Sequence, residues 1–306
     1  MPRSRVSTSL DTNGRGLRME EAQFIAALRA LAFEPAARGL FDDAAVLEIG
    51  DEALVLTHDT MVEGRHWLEG QNMADVAWKL VAVSLSDLAA KGAEPLGVLI
   101  GHTLGEGDDR FVAGLREVLE TYRVPLLGGD TVAGDGARTL GCTAIGRATH
   151  RPVPSRSGAR PGDAIWVTGP LGAAMLGFEA LRDATGADSS AYRRPSPRLA
   201  QGKSLAPVVT AMMDVSDGLL LDAWRMASAS GVSFAIDSGA VPVASAKRRD
   251  ECLRWGDDYE LLFTCPPEAT PPIPAHRIGT VASGAVPLVL DGLAIADPAG
   301  LGYEHR

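Results

Sequence analysis

The chain has 306 residues, 46% of them hydrophobic, and a formal net charge of −10 from 29 Lys plus Arg against 39 Asp plus Glu. That length suits one large domain or two ordinary ones, and that apolar fraction excludes global disorder. The acidic balance argues against nucleic acid or an anionic membrane as partner, but not against phosphates, because a bound cation reverses the sign of a site locally.

In chain order, residues 1–18 read as a flexible tail, basic and hydroxyl-rich, with no hydrophobic segment for secretion. A helix is predicted near Glu20, where "MEEAQFIAALRALA" has acidic residues in its first turn and a helical apolar period. "AAVLEIG" (44–50) and "ALVLTHDT" (53–60) are β-branched runs of strand length. "DVAWKLVAVSLSDLAAKGA" (75–93) is a long helix, with Gly92 placed to end it. On that helix Val76, Leu80, Val83, Asp87 and Ala90 share one stripe. A carboxylate on a buried stripe costs several kcal/mol unless something pairs with it. Asp87 therefore needs a partner.

"PLGVLIGHTL" (95–104) reads as a strand, "DDRFVAGLREVLETYR" (108–123) as an amphipathic helix, and "VPLLGGDTV" (124–132) and "RTLGCTAIGRA" (138–148) as strands. At "THRPVPSRSGARPGD" (149–163) the composition shifts to Pro, Ser, Arg and Gly, which marks a linker. The pattern then restarts: strand "AIWVTG", helix "GAAMLGFEALRDA", a polar stretch, helix "PRLAQGKSLAPVVTAM" (197–212), then "MDVSDG". Helix "LLLDAWRMASASG", strand "VSFAID", a short connection, strand "YELLFTC" and two or three short strands complete it. The expectation is an α+β protein of two domains, 19–150 and 151–306, with mixed sheets flanked by helices. Cys142, Cys252 and Cys265 have no paired spacing, so a disulfide framework and a zinc site are not expected; the cytoplasm is the expected compartment. No apolar run reaches the roughly 20 residues of a membrane span.

Several aspartates follow apolar runs beside Gly, Ser or Thr: Asp59, Asp130, Asp214 and, three residues on, Asp217; Asp42 and Asp43 precede such a run. Singly, each reads as a turn or cap residue. Together they read as carboxylates converging at strand ends, which repel one another unless cations bind. Oxygen ligands without a His/Cys cluster favour Mg²⁺, Mn²⁺ or Ca²⁺. "DTVAGDG" fails as a calcium loop, having Val132 and Gly134 at ligand positions. Several Mg²⁺ ions holding a nucleotide triphosphate is the reading that remains. "QGKSL" (201–205) mimics the end of a P-loop, but Pro197 stands where its first Gly belongs. Phosphates would instead meet metal ions, arginine and backbone N–H groups, with "LLGGDT" and "SDG" as candidates.

"DDAAV" (42–46), "THDTMVEGRHW" (57–67), "KLVAVSLSDLAAKGAEP" (79–95) and "LLGGDT" (126–131) resemble the N-terminal domain of the thiamine-monophosphate kinases. "RSGARPGDAIWVTG" (156–169), "RPSPRLAQG" (194–202), "MDVSDGLLLD" (213–222) and "GDDYELLF" (256–263) resemble their C-terminal domain, in the same order. "SDLAAKGAEP" and "SDGL" belong to the wider aminoimidazole ribonucleotide synthetase-like superfamily; "DTMVEGRHW" with "DDYEL" points to the thiamine kinases. The resemblance implies that fold and a homodimer built through the N-terminal domains. It implies transfer of the γ-phosphoryl group of ATP to thiamine monophosphate on a Mg²⁺ cluster, with no catalytic acid or base. By matching position, Asp43, Asp59, Asp87, Asp130, Asp214 and Asp217 would be metal carboxylates, supported by Thr57 and His58. Gly129, Asp130, Arg156 and Ser216 would contact ATP, and His66 and Asp257 thiamine monophosphate.

The chain departs from that family at Phe41 and Trp255, where glycine is usual, and at His58, where a threonine is usual. The family often extends past this C-terminus and offers an aromatic to the thiamine ring; Tyr303 is the aromatic present here. Two rivals follow: another ATP-using enzyme of the superfamily, and a non-catalytic nucleotide-binding paralogue with Phe41 and His58 as its lesions.

Overall fold

The computed structural model describes residues 21–304, so the tail predicted at 1–18 lies outside them. Helix α1 (Glu21–Arg29) leads to an irregular turn and the hairpin of β1 (Ala45–Ile49) and β2 (Glu52–Val62). Then follow α2 (Met73–Ala90), β3 (Ala93–Thr103), α3 (Asp108–Tyr122), β4 (Leu126–Val132) and β5 (Thr139–Ala148). The strands form one sheet in the order β1-β2-β5-β3-β4, antiparallel except for the β3–β4 pair. β2 alternates as a half-buried strand should: Ala53, Val55, Thr57 and Met61 turn in beneath α2, and Glu52, His58 and Thr60 are exposed on the other face.

The second half contributes β6 (Ala164–Val167), α4 (Ala173–Arg182), α5 (Ser190–Arg193), α6 (Leu199–Leu205), β7 (Ala211–Asp214) and α7 (Leu219–Ser230). It ends with β8 (Ser233–Ile236), α8 (Arg249–Arg254), β9 (Leu261–Cys265), β10 (His276–Ala282), β11 (Leu288–Leu290) and β12 (Leu293–Ile295). Their seven-stranded sheet runs β12-β11-β8-β10-β6-β9-β7, with β8 and β11 parallel. The helix predicted over 197–212 is too long: α6 stops at Leu205, Pro207 cannot continue it, and 211–214 is the fully buried strand β7. α5 and α8 arise in stretches predicted to lack helix.

Helix α2 is the hinge of the arrangement. Asn72 caps it, its side chain accepting from Ala74 N at 3.1 Å. Gly92, at φ 59°, turns the chain straight into β3. The predicted single stripe understates its burial, because α2 packs on the first sheet, α3, α6 and β7 at once. Ala89 and Ala90 join Leu205, Met212, Leu261 and Phe263 in a core between the two halves. Gly202 permits this crossing: a Cβ there would stand 1.9 Å from the Ala89 carbonyl oxygen. The glycine of the false P-loop is thus a helix-packing residue.

Candidate active site

β7 is the edge strand of its sheet and lies under α2, so its last residue, Asp214, meets the middle of that helix. Asp43 comes in from the turn before β1. Oxygens of Asp43, Asp87 and Asp214 all lie within 4.8 Å of one another. Thr57 Oγ1, on the inward face of β2, donates to Asp87 Oδ2. Ser84 Oγ donates to Asp59 Oδ2 at 2.7 Å and Ser86 Oγ to Asp214 Oδ2 at 2.5 Å. One turn of α2, Ser84 to Asp87, therefore serves two carboxylates and contributes a third.

Burial pushes the Asp87 carboxyl well above the usual range, and the charges of Asp59, Asp214 and Asp43 push it further. Asp214 rises to about 8 through burial and the Asp43 charge. Asp59 is raised by burial, against the Ser84 hydrogen bond. Like charges gathered in a buried space with hydroxyl donors call for a cation. The donor set is all oxygen, which fits a hard divalent ion. Asp43 Oδ2 also accepts no hydrogen bond among the described residues, although Lys91 Nζ stands 2.5 Å away as an ion pair. Asp43, Asp87 and Asp214 thus fit Mg²⁺, with Asp59 near enough for its charge to act on Asp87.

Two protein cations rim this cluster. Lys91, fully buried just past the last turn of α2, pairs with Asp42 and Asp43. Burial opposes its charge, but the two carboxylates raise its pKa. Asp42 is likewise held well below the usual carboxylate range: burial opposes this, and Lys91 and Arg38 outweigh it. Arg156, predicted as an ATP contact, places Nε at 2.6 Å and Nη2 at 2.5 Å from Asp43 Oδ1.

Three predicted metal ligands are not brought to the cluster. The His58 side chain lies on the opposite sheet face, its Nδ1 2.8 Å from Thr143 Oγ1, because neighbours on a strand point to opposite sides. Asp217 is taken by Arg225, outside the three converging carboxylates. Asp130 is exposed on β4, the far edge of the first sheet from β1. β2 and β4 are three strand spacings apart, about 14 Å. Gly129 shares that edge; at φ 152° its backbone packs so tightly that a Cβ would sit 1.9 Å from the Ile100 carbonyl oxygen.

Ser216 and Asp217 belong to the loop before α7, and both backbone N–H groups donate to buried Asp222 Oδ2, at 3.1 and 3.0 Å. The loop bearing Asp257 is tied to it through Asp257 N to Ser216 O at 2.8 Å. Asp257 (φ 66°) and Tyr259 (φ 51°) both hold the left-handed conformation, local strain of the kind that accompanies function. Asp257 accepts from Lys79 Nζ at 2.8 Å and from Tyr259 OH at 2.9 Å. Lys79 also donates to the His66 carbonyl at 3.1 Å, as does Tyr192 OH. His66 Nδ1 accepts from Val62 N at 3.0 Å, which leaves Nε2 as the protonated nitrogen of the neutral ring. Tyr303 N donates to Asp217 O at 2.9 Å, bringing the C-terminal segment to the same loop. Trp255 packs against Phe178, ring centroids 5.3 Å apart.

Sequence reasoning missed Lys79, Lys91, Ser84, Ser86 and Asp222. The two lysines had a signal: they lie eight residues before and four after Asp87, on its own side of the helix.

Residues 41–148 match the family AIR synthase related protein, N-terminal domain, and residues 160–284 its C-terminal domain. The chain is 39% identical to the thiamine-monophosphate kinase of Escherichia coli (strain K12) over 252 residues, 74% of this chain and 76% of that one. It is 37% identical to that of Halobacterium salinarum over 283 residues, 86% and 94%. Among solved structures, AaThiL complexed with AMPPCP and TMP superposes with a TM-score of 0.85 at 28% identity, over 95% of this chain and 99% of that one.

Proposed function

From the premise that the chain belongs to the thiamine-monophosphate kinase family, we propose that it transfers the γ-phosphoryl group of ATP to thiamine monophosphate, giving thiamine diphosphate. The observation that carries the reading is the convergence of Asp43, Asp87 and Asp214 at the seam of the two halves. Asp43, Asp59, Asp87 and Asp214 would hold Mg²⁺, which when bound neutralises phosphate charge and orients the reacting oxygens. The acceptor is a phosphate monoester whose second pKa is about 6, so it is already a nucleophile near neutral pH. No side chain is assigned as general acid or base. What the protein must supply is in-line positioning and charge neutralisation. The His66 Nε2–H and the Asp257 carboxylate, joined by Lys79, would hold the acceptor. Ser216, its loop fixed by Asp222, would meet ATP, as would Arg156 once released from Asp43.

Gly129 and Asp130 enter this scheme through a second copy of the chain. Every residue of β4 is exposed, among them the apolar Leu126, Leu127 and Val132, and its outer edge is unpaired among the described residues. Such an edge is a pairing surface. A cavity of about 510 Å³ beside it is lined by Val112, Leu115 and Leu119. A twofold dimer through this face carries Gly129 and Asp130 toward the partner's cluster. Residues 19–150 then bear the metal, nucleotide and dimer functions, and 151–306 completes the site. The His58 imidazole points away from the carboxylates, so one of the two departures that favoured a non-catalytic paralogue leaves their donor set intact. Among the described residues no helix is long and apolar enough to cross a membrane.

The test is a chromatographic product assay with ATP, Mg²⁺ and either thiamine monophosphate or free thiamine. Thiamine diphosphate formed one-to-one with ADP, from the monophosphate only, is expected. ATP binding without diphosphate sinks the proposal.

A proton count gives a second prediction. Asp214 and Asp87 have raised folded-state pKa values, so the metal-free fold is least strained by them below the unfolded value of 3.8 and loses that stability as pH rises, for Asp214 through about 8. Mg²⁺ binding at about pH 7, with AMPPCP present, should therefore expel protons from these carboxyls. Calorimetry in buffers of different ionisation enthalpy should read that release, shrinking as pH passes about 9. A Mg²⁺ heat independent of buffer would place the ion elsewhere.

A further inference from the structure

We infer that Lys91 is a tethered cation that fills the Asp42–Asp43 corner of the carboxylate cluster and holds divalent ions off until a nucleotide brings its own negative charge. The inference rests on the metal site proposed above and concerns how that site is loaded. The Lys91 side chain is fully buried, ion-paired with Asp42 Oδ1, 2.5 Å from Asp43 Oδ2 and 3.4 Å from the Met212 carbonyl oxygen. Arg156 occupies the other oxygen of Asp43. Asp43 is thus paired with protein cations on both sides, while it is also one of the three converging carboxylates. Asp87 and Asp214 differ in receiving hydroxyl donors, from Thr57 and Ser86.

A divalent ion that shares Asp43 with this ammonium lies close to a second positive charge in a buried space, where screening is weak. Lys91 cannot swing clear cheaply. It sits at the C-terminal cap of α2 with its backbone N–H bonded to the Leu88 carbonyl, and leaving would take from buried Asp42 one of its two cation partners, Arg38 being the other. Bound triphosphate adds several negative charges beside the corner and offsets the repulsion. Divalent-ion and nucleotide binding then become coupled, each tightening the other by the same factor.

The test uses Mn²⁺ as the probe, its free concentration followed by electron paramagnetic resonance, with and without AMPPCP. Wild type, Lys91→Met and Lys91→Arg are compared after circular dichroism has checked their folding. Lys91→Met should bind Mn²⁺ about tenfold more tightly than wild type without nucleotide, and the enhancement by AMPPCP should shrink by that factor. Lys91→Arg should keep the wild-type enhancement. If Lys91→Met fails to fold because buried Asp42 keeps only Arg38 as its partner, Asp42→Asn with Lys91→Met removes one charge of each sign, and the same direction of change is expected. Unchanged or weaker Mn²⁺ binding in the folded variant overturns the inference while leaving the metal site standing. No Mn²⁺ binding by any form, even with AMPPCP, overturns the metal site and the inference together.

Discussion

Replacing Asp87 by Asn should lower kcat by roughly a thousandfold, the equivalent of about 4 kcal/mol of transition-state stabilisation. Asp87 is the carboxylate on which the others focus: Thr57 donates to it, and Asp59, Asp214 and Asp43 all act on its charge. Asparagine keeps the shape and an oxygen for the Thr57 hydroxyl, but loses the charge. In the metal-free protein that loss relieves burial and repulsion, so the variant should melt at or above the wild-type temperature without Mg²⁺. With Mg²⁺ and AMPPCP, wild type should gain stability and the variant less. These two melting curves separate chemistry from architecture. A lower Tm without metal would make Asp87 a structural residue, and an unchanged rate would remove it from the metal site.

Two inactive variants, mixed, should recover activity. If Asp130 acts across the dimer, Asp130→Asn and Asp87→Asn each spoil every site in their own homodimers. After subunit exchange, half of the dimers are mixed, and each pairs one intact cluster with one intact Asp130. About one quarter of wild-type activity is then expected at equal proportions. β4 and the strand that carries Asp59 are separated by β5 and β3, so a single copy cannot close the gap without breaking its sheet. Activity assays after co-refolding, with size-exclusion chromatography to follow the dimer, decide the matter. No recovery in mixtures proven to contain mixed dimers would mean that Asp130 serves its own chain or no site at all.

The fold was readable where local pattern and burial agree. Alternation in 53–60 marked β2, and the helical period with Gly92 marked α2 nearly to its ends. Pattern failed at 211–214, where a fully buried four-residue strand looks like the last turn of a helix and only Pro207 hinted otherwise. For the site, the aspartates were visible as a set, but sequence gives no sheet order. Nothing local distinguishes Asp59, whose charge acts on Asp87, from Asp130, on the far edge: each follows an apolar run. The parity of β2 does settle His58 against Asp59, since adjacent side chains on a strand diverge. Buried cations were the hardest to see, because Lys91 looks like an ordinary basic residue at a helix end until Asp42 and Asp43 fold against it.

The seam around α2 also decides what a bound ion does to the whole molecule. Asp43 and Asp214 lie at distant points of the chain and meet only once that helix is enclosed from both sides. An ion held by both recognises the finished protein and no fragment of it. Its binding free energy is therefore added to global unfolding, not to the opening of one half. On the proposed function, saturation with Mg²⁺ and nucleotide would tie the two sheets into one cooperative unit, so occupancy of the site would set how long the folded chain survives as well as how fast it turns over.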